Sequence, residues 1–512
     1  MKKNFFKSYG GFLTGIIVFF LFLFLVPDSF MPVRSQRMAA VTLFMSVWWI
    51  TEAIPIPATA LLPIFLYPVL KIMPTAAVTV NYGQHLVYLF LGGFIIALTI
   101  ERWGLHKRIA LKVVNLIGSN PRLIILGFML ATGFLSMWIS NTATAMMMVP
   151  IGLAVISQIT ESEGEKFERK KNNFALALML AIAYASSIGG ISTLIGTPTN
   201  LVFIGVLKAN FPLAPDISFV QWMLFALPFA LLLLPLTWFY LVYIAAPVGS
   251  HHSKLESGLL KQEMLKLGPM SREEKCTLFI FSLTALLWIF RSDIDLGGIQ
   301  IPGWSSFLGF KDYIDDSTVA IAMATLTFIT PATTGQDGKI RFLMDWTCAG
   351  KIPWGILLLF GGGFALADGF QKAGLTQWLG EQLQVFQTMP IPIIILMVSV
   401  LAVMATEFSS NTAVAITLLP IITALAVAVK INPLILMIPV TISCSTAFML
   451  PVATPPNAIV FGSGYVRIKD MVMVGIGVNL LGVIVLMVLL YLLAPFVFQI
   501  QWHEMPFWVI KP

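Results

Sequence analysis

Two copies of one tripeptide, Ser140-Asn141-Thr142 and Ser410-Asn411-Thr412, sit in the middle of stretches that are otherwise apolar, Leu123 to Ile156 and Ile391 to Val427. Hydroxyl, amide and carbonyl oxygens are the donor set that a hard cation takes. Asn and Thr donors, with the free NH groups at the start of a helix, hold an anion. The same few residues therefore suit a small cation and a carboxylate side by side. A second pair of motifs, Ile195-Gly196-Thr197-Pro198-Thr199-Asn200 and Val452-Ala453-Thr454-Pro455-Pro456-Asn457, puts a proline inside two further apolar runs. Proline removes a backbone donor and clashes with the preceding turn, so both motifs mark helix breaks. Taken singly, Ser and Thr often only join membrane helices, and proline often only kinks them. The recurrence of the same polar tip and the same break, in register, argues against that reading.

Each SNT stretch is too long for one untilted span, because about 20 residues cross a hydrocarbon core as a helix. A re-entrant helix-turn-helix hairpin, over about 123–156 and again over about 391–427, accommodates the length. It places Ser, Asn and Thr at a tip, where non-helical backbone is tolerated beside protein or water. Slid by 270 residues, the chain aligns on itself without a gap: LFLGGF from Leu89 to Phe94 meets LFGGGF from Leu359 to Phe364, the two SNT tips meet, and Pro150 meets Pro420. The first half carries a polar insertion around Glu161 to Asn173, after which the offset falls to 257, and Thr197, Pro198 and Asn200 meet Thr454, Pro455 and Asn457. Two homologous halves follow, 1–250 and 276–512, about a loop at 251–275.

Of the 512 residues, 58% are hydrophobic and 11% charged, against roughly 25% charged in soluble domains. Further apolar runs cover Gly11 to Val26, Trp222 to Ala245, Cys276 to Ile289, Ile352 to Leu366 and Met471 to Val497. The chain lacks the alternating ten-residue strands of a barrel, so the fold class is an all-α polytopic membrane bundle. Lys2, Lys3 and Lys7 precede the first run as in a signal peptide, but no small-residue cleavage site follows, which makes it a retained first helix. With the N-terminus cytoplasmic, the loops at 1–10, 101–122, 161–173, 250–275, 332–351 and 465–470 fall inside and hold most of the 31 Lys and Arg residues, as the positive-inside rule requires. About eleven spans fit, which puts the C-terminus outside. The same count places the segment before the first SNT inside and the segment before the second outside, so the halves are inverted, a recurring transporter plan with its site near the midplane. Residues 102–117 and 373–388 are expected as interfacial helices on opposite faces.

The net charge of +7 is spread over membrane-flanking loops and gives no nucleic-acid stripe. Cys276, Cys348 and Cys444 have neither disulfide-framework nor zinc spacing. His85, His106, His251, His252 and His503 form no HExxH group. Gly92-Gly93 and Gly361-Gly362-Gly363 lack the GK[ST] of a phosphate loop, and no Walker motif points to a primary pump. A membrane enzyme would need a nucleophile and base, paired carboxylates or a metal cluster, none of which is evident, and an open pore fits broken inverted helices less well than alternating access. No cofactor is expected. Glu407, three residues before Ser410 in an apolar segment, is a functional candidate by default, with a role near a cation weighed equally against a wet or base-paired carboxylate. Glu52 is expected as a structural anchor with Trp48 and Trp49 as interfacial belt aromatics, and Glu101 and Asp368 as solvated or interfacial residues at segment ends.

The segments WWITEAIPIPATALLP at Trp48 to Pro63, MWISNTATAMMMVPI at Met137 to Ile151, SSNTAVAITLLPI at Ser409 to Ile421 and ATPPNAIVFGSG at Ala453 to Gly464 together make the chain resemble the divalent anion:sodium symporter family over nearly its whole length. That family includes bacterial sodium-dicarboxylate symporters and animal sodium-citrate carriers. The resemblance implies one sodium site at Ser136, Ser140, Asn141 and the Gly196 backbone, and an inverted mate at Thr406, Ser410, Asn411 and the Ala453 backbone. It implies that Asn141, Thr142, Asn411 and Thr412 grip the substrate carboxylates and that Thr197, Pro198, Thr454 and Pro455 line the same cavity. It further implies a homodimer in the plasma membrane whose transport domain moves like an elevator, carrying sodium and a small dicarboxylate such as succinate, malate or fumarate. A sodium-independent dicarboxylate exchanger of the same family is the nearest alternative. The SNT segments carry no Lys or Arg to replace an ion, which favours symport. Thr199 departs from the usual TPPN pattern.

Overall fold

The computed structural model describes residues 2–117, 120–163, 168–249, 264–295, 300–334, 340–502 and 504–510. Residues 251–263 of the expected inter-half loop, 164–167 of the polar insertion, and His251, His252 and His503 lie outside the described residues.

Lys2–Leu25 (α1) and Val33–Thr51 (α2) form a packed antiparallel pair. The turn between them is held by Gln36, whose Nε2 donates to Val26 O at 2.8 Å and Leu23 O at 3.0 Å. At the end of α2, Glu52 caps the helix in a left-handed conformation, φ 48°. Trp48 and Trp49 correct the belt expectation. Both are buried, with Trp49 only 1% exposed, and their indole NH groups donate to Phe12 O and Ile56 O, each at 3.2 Å. A buried indole needs such a partner, so these rings lock the N-terminal helices together within one chain.

Seven helices then follow in the first half: His85–Arg102 (α3), Leu105–Ile117 (α4), Pro121–Ser136 (α5), Asn141–Glu163 (α6), Glu168–Ile191 (α7), Pro198–Asn210 (α8) and Phe219–Phe239 (α9). Arg272–Ile289 (α10) and Asp316–Ile329 (α11) lead to seven more: Trp354–Lys372 (α12), Leu375–Gln382 (α13), Ile391–Phe408 (α14), Asn411–Ala428 (α15), Leu434–Cys444 (α16), Pro455–Gly462 (α17) and Ile468–Val497 (α18). Shorter helices and two antiparallel ribbons, Ile294–Asp295 with Gln300–Ile301 and Pro331–Thr334 with Ile340–Phe342, fill the connections. Helix starts recur at the sequence offsets, Asn141 with Asn411 and Pro198 with Pro455.

The prolines of the TP motifs sit at the first position of α8 and α17. The missing NH costs nothing there, and the fixed φ suits a helix start. The breaks are therefore loops at 192–197 and 445–454 between separate helices, and the prolines open the second piece rather than kinking one rod. The pieces interlock: α8 of the first half packs on α15 of the second, and α17 of the second packs on α6 and α7 of the first.

Among the described residues, seven helices are long and apolar enough to cross a membrane, at Thr75–Arg102, Asn173–Ile191, Phe219–Ala245, Trp354–Lys372, Ile391–Phe408, Asn411–Ala428 and Ile468–Val497. The other apolar helices, including Pro121–Ser136 and Leu434–Cys444, are 10–17 residues long. The amphipathic α4 is pinned by Arg108, whose guanidinium pairs with both Glu274 oxygens at 2.9 and 3.0 Å and donates to Gly268 O at 2.9 Å. Bidentate geometry of this kind is the strong form of an ion pair, and it joins α4 to the start of α10.

Candidate functional site

The first tip is the four-residue turn between Ser136, the last residue of α5, and Asn141, the first of α6. Ser140 caps α6, with its Oγ accepting from Ala143 NH at 3.3 Å. Ser136 is fully buried, and its Oγ donates to Ser186 O on α7 at 2.7 Å. The inward atom of the Asn141 amide beside it lies 2.6 Å from Ser136 Oγ, 3.1 Å from Ser186 O and 3.3 Å from Gly196 O, three acceptors that suit the amide nitrogen at that place. Oxygens that converge so closely repel unless a donor nitrogen or a cation sits among them.

Two glycines make this approach available. A Cβ on Gly190 would come within 2.3 Å of Asn141 Oδ1, and one on Gly196 within 2.3 Å of Gly190 O. The loop carrying Gly196 is braced from both sides. Asn200 Nδ2 donates to Thr193 O at 2.7 Å and Ile191 O at 3.1 Å, and Thr193 Oγ1 donates to Met137 O at 2.5 Å and accepts from Gly196 NH at 3.1 Å. Ser140, Asn141 and Thr142 are half-buried, which leaves the tip one accessible side, whereas Thr197 is buried and Pro198 half-buried.

The second tip has the same plan. Ser410 precedes α15, Asn411 begins it, and Asn411 Oδ1 is buried without a hydrogen-bond partner among the described residues. Thr406 is fully buried and donates to Val403 O at 2.9 Å, and Thr412 is 7% exposed. Asn457 Nδ2 donates to Ala447 O and Leu450 O, each at 3.0 Å, as Asn200 does in the first half. Thr454 Oγ1 caps α17 by accepting from Asn457 NH at 3.3 Å, while Ala453 is buried and Pro455 exposed.

Glu407 is neither a wet carboxylate nor one paired with a base. It is fully buried, and its carboxylate accepts from the NH groups of Phe448 (2.9 Å), Met449 (3.0 and 3.1 Å) and Leu450 (3.0 Å) and from Asn479 Nδ2 (2.8 Å). It tethers the loop before α17 to the end of α14. The first half has Met137 at the matching position and uses the Thr193 bond to that residue's carbonyl instead. Asp368, at the end of α12, pairs with Lys372 at 2.9 Å and accepts from Asn81 at 3.3 Å.

A cavity of about 680 Å³ runs from Glu101, His106, Lys107 and Lys266 along α6 past Pro150 and Met147 to Thr144, Ala143 and Ile139, beside Ser140. A larger one, about 910 Å³, is lined by His85, Lys208, Asp216, Arg291, Asp293, Lys311, Asp315 and Asp316. It touches neither SNT tip, and its cations are already paired: Lys208 with Asp216 at 2.6 Å, Arg291 with Asp316 at 2.5 Å and Lys311 with Asp293 at 2.9 Å. Lys311 and the Gly303 NH push the Asp293 carboxyl down to about 2. Size does not make it the candidate site. The smaller cavity reaches the tip.

The family model described as the sodium:sulfate symporter transmembrane region matches residues 11–500. The chain belongs to that family. It is a transporter-family protein, not an enzyme. The sodium-dependent dicarboxylate transporter SdcS of Staphylococcus saprophyticus is 42% identical over 503 residues, covering 96% of this chain and 93% of that protein. The protein of the same name from Staphylococcus aureus strain MRSA252 is 43% identical over 495 residues, covering 96% and 92%. Among solved structures, the YdaH transporter of Alcanivorax borkumensis superposes with a TM-score of 0.55 at 14% identity, covering 88% of this chain and 98% of that one. MtrF of Neisseria gonorrhoeae gives 0.52 at 13%, covering 81% and 83%. These two likenesses extend to the fold alone.

The structure brings Ser136, Asn141 and Gly196 together and adds Ser186 and Gly190, which sequence reasoning missed. It also adds Asn479 and Ser445. Neither carries a local signal, because each acts on residues far away in the chain.

Proposed function

We propose that this family member is a secondary transporter that couples sodium entry to uptake of small dicarboxylate dianions such as succinate, malate and fumarate. The observation that carries the reading is the Asn141 amide beside three oxygens at a half-open helix start, a place for a cation with anion donors next to it. The names of relatives at 42% and 43% identity support the same substrate class. The family description names sulfate, also a divalent oxyanion, so sulfate belongs in the test.

In this mechanism one sodium binds Ser136, Ser140, Asn141 and the Gly196 carbonyl, and a second binds Thr406, Ser410, Asn411 and the Ala453 carbonyl. Sodium supplies the positive charge that a dianion needs on leaving water. The carboxylates then meet Asn141, Thr142, Asn411 and Thr412 and the first-turn NH groups of α6 and α15, with Thr197, Pro198, Thr454 and Pro455 around them. Re-entrant hairpins at about 123–156 and 391–427 carry the tips within about eleven spans, and the halves 1–250 and 276–512 are inverted about the loop 251–275. The tips and broken helices move as one body against the rest, an elevator within a homodimer in the plasma membrane, with the N-terminus cytoplasmic and the C-terminus outside. The 680 Å³ cavity is then the inner access path, with Lys107 in its lining.

Purified protein in liposomes, given labelled succinate under an inward sodium gradient, an equal potassium gradient, or internal unlabelled succinate without sodium, tests this. Sodium-dependent uptake, displaced by excess dicarboxylate more than by sulfate, is expected. Uptake needing only internal dicarboxylate makes the protein an exchanger and overturns the sodium sites; displacement by sulfate alone overturns the substrate.

A further inference from the structure

Within their TPxN cores the two motifs differ at one position, Thr199 in the first half against Pro456 in the second. Pro456 offers neither an NH nor a hydroxyl. Thr199 is fully buried, and its Oγ1 lies 2.6 Å from Ser445 Oγ and 3.3 Å from Thr197 Oγ1. The three hydroxyls make a continuous line from Thr197, which immediately precedes α8, to Ser445, which closes α16 in the other half. A buried hydroxyl without a partner is costly, so these partners hold one another in place. The effect on Thr197 is visible beside its counterpart: Thr454 Oγ1 accepts the Asn457 NH and caps its own helix, whereas the Thr197 side chain makes no capping bond and turns to Thr199. Ser445 in turn opens the loop whose Phe448, Met449 and Leu450 NH groups the Glu407 carboxylate holds.

We propose that Thr199 and Ser445 are positioning residues that tie the first broken helix to the loop before the second, so that the ion and anion sites of the two halves form together. A proline at 199, as stands at 456, would abolish the line. The inference rests on the symport reading. Without the line each half-site still exists, but filling one no longer orders the other.

The test compares Thr199→Val, Thr199→Ser, Ser445→Ala and the double variant Thr199→Val/Ser445→Ala with the unchanged protein, by succinate uptake into liposomes across a sodium series. Thr199→Val and Ser445→Ala are expected to raise the sodium concentration for half-maximal uptake about fivefold, the size of one buried neutral hydrogen bond, and to flatten the sodium dependence while maximal rate and protein yield hold. The double variant should be no worse than either single one, since both remove the same bond, and Thr199→Ser should behave like the unchanged protein. Additive losses, or lower yield with an unaltered sodium dependence, overturn the proposal and leave the symport reading standing. Sodium-independent uptake by the unchanged protein strikes the symport reading and this inference with it.

Discussion

The Glu407 carboxylate and the Asn479 amide meet at 2.8 Å, in a pocket where the same carboxylate also gathers the NH groups of Phe448, Met449 and Leu450. Such a carboxylate takes the place of a helix cap for a loop that has none. Glu407→Gln keeps the shape but turns a donor toward other donors, and Glu407→Ala strands the buried Phe448 NH, at about 1–3 kcal/mol, together with the part-buried NH groups of Met449 and Leu450. Glu407→Ala is expected to lose most folded protein. Glu407→Gln should lower the unfolding temperature in detergent and cut uptake; Glu407→Gln protein with unchanged unfolding and uptake would show that the tether is dispensable.

Asn141→Ala and Asn411→Ala are expected to reduce uptake to background while the protein stays folded, since each site is half-buried and carries no packing load comparable to a core residue. Asn141→Asp separates the two ligands. A carboxylate there attracts the cation and repels the dianion, so stabilisation by sodium in a thermal-unfolding assay should persist as succinate uptake disappears. Full transport by Asn141→Ala and Asn411→Ala would sink the site assignment.

Gly190→Ala isolates the oxygen cluster from helix stability. Alanine is favoured over glycine in a helix by about 1 kcal/mol, yet its Cβ would press to 2.3 Å from Asn141 Oδ1. The variant should fold as well as the unchanged protein and need more than about tenfold higher sodium for half-maximal uptake, a shift of at least about 1.4 kcal/mol. Unaltered sodium dependence would mean that Asn141 does not need this orientation.

Breaking the buried Arg108–Glu274 pair leaves an uncompensated charge, a loss of about 3–5 kcal/mol. Arg108→Met should therefore unfold at lower temperature and free the segment 264–272, read as faster amide exchange, while Arg108→Met/Glu274→Leu recovers much of the loss. A single variant as stable as the unchanged protein would show that the pair contributes little.

Asp293 has its carboxyl held below the ordinary value of 3.8, at about 2, by Lys311 and the Gly303 NH. A lowered carboxyl stabilises the folded form above its ordinary pKa and loses that contribution as pH falls through the folded value. Amide-exchange protection of 300–311 should hold from neutral pH to about 4 and fall between about 4 and 2, whereas Asp293→Asn should lose protection already at neutral pH. Equal protection in both proteins across this range would remove the pair as the cause.

The tips and breaks were legible because polar residues and prolines are conspicuous in apolar runs, and because Ser140, Asn141, Thr142 and Pro198 each recur in the other half. Glu407 was conspicuous for the same reason, but its partners were not, since backbone NH groups of Phe448 to Leu450 leave no mark in a sequence. Ser186, Ser445 and Asn479 look like the many small polar residues of membrane helices, and only the fold shows which of them face a site. Trp48 and Trp49 misled in the opposite sense: aromatic pairs near a segment end suit a membrane interface, but Phe12 O and Ile56 O give their indoles partners inside the protein.

The exchange of broken-helix pieces between the halves has a consequence for how the protein is made. Helix α8 rests on α15, which the ribosome delivers about two hundred residues later, roughly 10–40 s at ordinary elongation rates. Through that interval the nascent first half carries a short helix without the second-half helix it packs on, and α17 cannot be seated until synthesis is nearly over. Insertion of the early spans must therefore precede assembly of the core by a long wait, so truncation or stalling late in the chain leaves an inserted but unassembled protein, a substrate for membrane quality control.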